Sequence, residues 1–162
     1  MKTKIGHDRA SCTDRAHRLF LLLFFLAGSF VGRFRPSDAE LFTLGPVILP
    51  WLLLVPALFS GNLFGVYVIP VSAMLFGADA EVLLESIPLG IQTWTAAFPG
   101  LLPLLLLTPI FFLAALVGMR LSEEYLNACL NSGRVPFGML LCRQLLLCCA
   151  AAGSLFLYRH FF

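Results

Sequence analysis

The sequence predicts an all-α fold: a polytopic membrane helical bundle of about five transmembrane helices, with proline-broken or half-helix segments. Two observations carry this expectation. Hydrophobic residues make up 59% of the chain and charged residues 12%, with a mean hydropathy of +0.90, whereas an ordinary soluble domain carries roughly a quarter charged residues. The charges are also gathered into bands. None falls in Leu19–Gly32, Leu41–Ala78 or Ser86–Met119, and the last two runs are 38 and 34 residues long. About 18–20 apolar residues suffice to cross a bilayer as a helix. The lipid bilayer is therefore the first expected partner. Nucleic acid is not expected, because the net charge is only +2 and the bases are divided among membrane-flanking segments without a basic–aromatic pattern.

Residues 1–18, "MKTKIGHDRASCTDRAHR", form a basic N-terminal segment with Lys2, Lys4, Arg9, Arg15 and Arg18 against Asp8 and Asp14. Basic residues flanking a span favour the cytoplasmic side, so a cytoplasmic N-terminus in a multi-pass cell-membrane protein is expected. The helical transmembrane domain follows over residues 19–158, and 159–162 are a short C-terminal tail. "LFLLLFFLAGSFVG" (19–32) has a signal peptide as its competing reading, since the run is short and Ala27, Gly28 and Ser29 are small. The long leader with two acids and the lack of a clean A-x-A site favour a retained span, with Arg18 and Arg33 snorkelling at its ends. Gly28 and Gly32 make a GxxxG, a spacing that lets a second helix approach closely.

"RFRPSDAE" (33–40) reads as a short polar turn. The 38-residue run beyond it would be about 57 Å long as one helix, so it must turn back. "SGN" at Ser60–Asn62 is the best turn signal. The result is a span near 41–59, holding Pro46, Pro50 and Pro56, and another near 63–77, holding Pro70, with a second GxxxG at Gly61 and Gly65. "ADAEVLLES" then reads as an outer loop. Its Glu81 and Glu85 are four apart, on one face if helical. Such a pair binds a cation or relays protons in some membrane proteins, and more often is the solvated end of a helix.

"SIPLGIQTWTAAF" (86–98) is less hydrophobic and reads as a half-helix or interfacial segment, with Trp94 near a headgroup boundary. "PGLLPLLLLTPIFFLAALVGM" (99–119) is a full span. Pro99 marks its start and Pro103 falls early in it, where a missing donor costs little. Pro109 is expected to kink the interior, with Thr108 or neighbouring helices satisfying the freed carbonyl. Such broken helices line substrate paths in transporters and also occur as plain architecture. "RLSEEYLNACLNSGR" (120–134) reads as a cytoplasmic loop, and the last span runs from about Pro136 to Tyr158.

Arg143 is the one formal charge inside that last span. It is a functional candidate by default, although snorkelling toward the cytoplasm is the favoured reading. Cys142, Cys148 and Cys149 share a helix region without a polar second shell, so they read as small packing residues rather than metal ligands. His7, Cys12 and His17 are too irregularly spaced for a metal site. No HExxH, Walker A or GxSxG pattern is present. No catalytic, cofactor-binding or metal-binding residue is therefore expected, and the chain is expected not to be an enzyme.

"LFGVYVIPVSAMLFG" (63–77) followed by "AAFPGLLPLLLLTPIFFLAALVGMRLS" (96–122) resembles the stage II sporulation protein M family. Its members carry an FG…P span, a Gly-rich segment, and a proline-led span ending in a basic residue and a short cytoplasmic loop. The chain departs from the pattern in its eight-residue segment 33–40 and in Gly100 and Leu101, where many members have Gln-Asn. The resemblance implies a bacterial, non-enzymatic membrane scaffold that anchors cell-wall hydrolases during engulfment in endospore formation. The competing expectation is the membrane subunit of an ABC-type or other small-molecule transporter, based on the proline-rich span, Arg143 and the loop 120–134.

Overall fold

The computed structural model describes residues 3–34, 45–86, 94–131 and 137–161. Among them the helices are α1 (Thr3–Arg33), α2 (Gly45–Leu52), α3 (Leu54–Phe59), α4 (Gly65–Ser86), α5 (Trp94–Leu130) and α6 (Phe137–Phe161). No strand occurs among the described residues. Four helical stretches are long and apolar enough to cross a membrane, Arg15–Arg33, Gly65–Glu85, Leu104–Leu130 and Gly138–Phe156, and the apolar Leu49–Phe59 is shorter. These features define an all-α, multi-pass membrane bundle.

The basic segment and the first span are one helix, α1. The expected span at 41–59 is instead two short helices broken at Leu53, and residues 35–44 lie outside the described ones. The break follows from Pro56, which has no N–H to donate to the Leu52 carbonyl and whose ring crowds that turn. Leu53 closes a tighter turn, its N–H donating to Pro50 O at 3.2 Å. From Gly45 to Phe59 the pair is about 22 Å long, short of the roughly 30 Å hydrocarbon core.

Two stretches expected as loops are helical. The acidic "ADAEVLLES" forms the last turns of α4, and residues 120–130 extend α5. Both are rich in Ala, Glu and Leu, strong helix formers, and no Gly or Pro interrupts them before Pro88 and Gly133. Trp94–Phe98 likewise begin α5 rather than a separate half-helix, and Ser86 ends α4, while 87–93 lie outside the described residues. The backbone of α5 stays helical through Pro99, Pro103 and Pro109. In lipid a helix is the way a single segment satisfies its own backbone groups, so losing one bond does not release the rest. Thr108 does not compensate as expected. Its hydroxyl donates to Leu104 O at 2.7 Å, one residue short of the Leu105 carbonyl that Pro109 cannot reach.

Phe25 faces Phe112 and His17 faces Glu123, so α1 and α5 run antiparallel. Phe76 faces Phe111 and Gly65 faces Ser122, so α4 and α5 do too. Helices α1 and α4 are therefore parallel neighbours. The core forms where these three meet. Phe76 and Phe111 stack at 4.3 Å between ring centroids, and Leu21, Ile69, Ala73 and Ala115 are fully buried around them. An aromatic pair of this kind contributes about 0.5–1.5 kcal/mol beyond area burial. Leu19, Leu23, Phe30, Tyr67, Leu105 and Leu113 face outward, as a lipid-facing surface should.

Candidate functional site: the polar end and the helix seams

Glycines bring helix backbones together at the seams. A Cβ on Gly28 would collide with the Met74 carbonyl of α4, and one on Gly32 would come within 2.8 Å of Ala78 O. From the other side, a Cβ on Gly77 would strike Phe25 O. Backbone-to-backbone approach of this kind is what small residues permit in membranes, where packing replaces the hydrophobic drive. Gly65, the first residue of α4, packs on Phe59 O and the Ser122 side chain. Gly61 does not act as a helix-packing residue. It sits in the turn before α4 with φ +78°, and a Cβ there would meet only Gln144 Oε1, at 3.9 Å. A left-handed turn residue is favoured as glycine because it lacks the Cβ.

The sequence reading missed Gly77 and Gly118; a Cβ added to Gly118 would stand 2.8 Å from Pro56 O. A signal existed. Ala73 and Gly77 are four apart, as are Ala114, Gly118 and Ser122, and small-xxx-small generalises GxxxG.

Polar side chains converge at one end of the bundle. Ser122, fully buried on α5, donates through Oγ to Asn62 O and accepts from Val66 N at 3.2 Å. It thereby ties the α3–α4 turn to α5. Gln144 Nε2 of α6 donates to Leu58 O at 3.1 Å, satisfying a carbonyl that the end of α3 leaves open. His17 Nε2 stands 3.7 Å from Glu123 Oε2, an ion pair only when the imidazole is protonated. Its Nδ1 is buried without a hydrogen-bond partner among the described residues.

Arg143 belongs to this same level. Its guanidinium lies 3.4 Å from Glu124 Oε2, with both side chains substantially exposed. The charge expected inside the last span thus has its counter-ion on the helical extension of α5. Between α5 and α6 is a crevice of about 510 Å³, with Arg120, Glu124 and Arg143 as its polar groups and Val117, Leu121 and Leu147 among its apolar ones.

At the opposite end, Asp79 is buried on α4, and Glu81 accepts a hydrogen bond from Ser29 Oγ at 2.8 Å. Glu85 is exposed. No group of three or more His, Cys, Asp or Glu among the described residues could hold a metal ion. The side chains of His7, Cys12, Trp94, Pro99 and Pro103 lie outside the described ones. Cys142 and Cys149 are free and exposed, so they face out of the chain instead of packing within it.

Fold and site together define a polytopic helical membrane protein with glycine-backed seams and hydrogen-bonded polar side chains toward both ends of the bundle. No family model, curated protein or solved structure matches the chain.

Proposed function

We propose that this chain is a non-enzymatic membrane scaffold, lying in the cell membrane with its N-terminus in the cytoplasm. The observation that supports this reading is the filled centre of the bundle. Phe76 and Phe111 close it with fully buried rings, and the α1–α4 seam brings backbone against backbone. A bundle with its centre occluded is suited to holding partners rather than to passing a solute between its helices. The resemblance to the stage II sporulation protein M family supplies the choice of partner: cell-wall hydrolases, anchored in a peptidoglycan-remodelling complex.

Depleting the chain from its native cells tests the reading. Cell-wall hydrolases are expected to lose their membrane localisation while their total amount stays unchanged. Hydrolases that remain correctly placed would refute the scaffold role. Loss of small-molecule export with hydrolases in place would move the assignment to a transporter subunit.

A further inference from the structure

The crevice between α5 and α6 combines two chemistries in one place. Arg120 and Arg143 bring positive charge from two different helices, and Val117, Leu121 and Leu147 line the same space with apolar surface. Its volume of about 510 Å³ lies within the roughly 300–1,000 Å³ typical of small-molecule sites. Position matters as much as lining. Along α5 the polar groups lie at Glu124 and Arg120, and Val117, one turn further into the span on the same face, continues the lining with apolar surface. A ligand that fits must therefore be anionic at the polar end and apolar along the span.

We propose that this crevice binds an anionic phospholipid, its headgroup phosphate held between Arg120 and Arg143 and an acyl chain lying along Val117, Leu121 and Leu147. Basic pockets between membrane helices select such headgroups, and arginine's planar fork matches phosphate oxygens. Glu124 tunes the site. Its carboxylate engages one terminal nitrogen of Arg143 at 3.4 Å, and guanidinium carries five donors, so the remaining edge is open to phosphate. Glu124 also places a negative charge beside the headgroup and so holds the affinity down.

Full-length protein purified in mild detergent is titrated with phosphatidylglycerol or with phosphatidylcholine of the same chains, and retained lipid is read by native mass spectrometry. Wild type is expected to retain phosphatidylglycerol preferentially. Arg120→Gln and Arg143→Gln should each lower that affinity about fivefold, the equivalent of about 1 kcal/mol per basic residue near the surface. Glu124→Gln should raise it, an outcome that a purely structural role for the crevice does not produce. Arg159→Gln, which removes an exposed charge near the far end of α6, should leave it unchanged. Equal retention of the two lipids would overturn the proposal, as would an equal loss in Arg159→Gln. Glycerol phosphate binding as tightly as the lipid would overturn it too. Should either arginine variant fail to fold, the Glu124→Gln gain still decides.

Discussion

Replacing Gly28 by alanine adds one methyl group, and the structure has no room for it. The new Cβ would overlap the Met74 carbonyl oxygen and stand 2.6 Å from its carbon and 2.9 Å from its Cα. These are backbone atoms, so no rotamer change relieves the collision. Helices α1 and α4 must move apart, and overpacking of this kind costs about 1–3 kcal/mol. Alanine also gains about 1 kcal/mol of helix propensity over glycine, which would mask part of the loss. Gly153 supplies the correction, because it too is helical and an added Cβ there meets nothing within 4 Å. In the difference between Gly28→Ala and Gly153→Ala the propensity gain cancels. The expected gap is about 1–3 kcal/mol, or about 5- to 150-fold in the unfolding constant. Reversible unfolding in mixed detergent–SDS micelles, followed by circular dichroism, measures it. Equal stabilities for the two variants would refute the close approach of α1 and α4.

Other substitutions separate the contributions. Phe76→Ala should cost about 3–5 kcal/mol by opening a cavity beside Phe111, while Leu113→Ala on the outward face should change stability by less than about 0.5 kcal/mol; the same micelle assay reads both. Ser122→Ala removes the tie between Asn62 and Val66 and should cost about 1 kcal/mol. Gly61→Ala, at φ +78°, should cost about 1–2 kcal/mol, and Gly61→Asn less. For topology, a variant keeping Cys129 as its single cysteine should resist a membrane-impermeant maleimide in intact cells and react in inverted vesicles. The opposite pattern would place the polar end outside.

Spans were legible because charge is costly in hydrocarbon, so its absence over long runs marks the helices directly. Helix ends were harder to read. The polar stretch from Arg120 to Leu130 continues α5 because its residues favour helix in water as well as in lipid. Nor could the inward face be read from hydropathy. Leu107 is buried and Leu105 is outward, yet in a lipid-facing helix both sides are equally apolar, and amphipathic periodicity disappears. What distinguishes the inner face is size. Ala73 and Gly77 on α4 and Ala114, Gly118 and Ser122 on α5 follow the four-residue repeat that marks a seam, even without a second glycine. Pairing across the chain lay beyond the sequence altogether. Glu124 and Arg143 are 19 residues apart in sequence, and the helical extension that carries Glu124 brings them to one level.

The scaffold reading stands on what the bundle holds, and the most direct measurement is purification of the tagged chain from its native membrane in mild detergent, with mass spectrometry of the proteins that accompany it. Cell-wall hydrolases enriched with the wild type, and reduced with a Gly28→Leu variant that splays the α1–α4 seam, are the predicted result. A stoichiometric ATPase with no hydrolase would contradict the scaffold and assign the chain to a transporter.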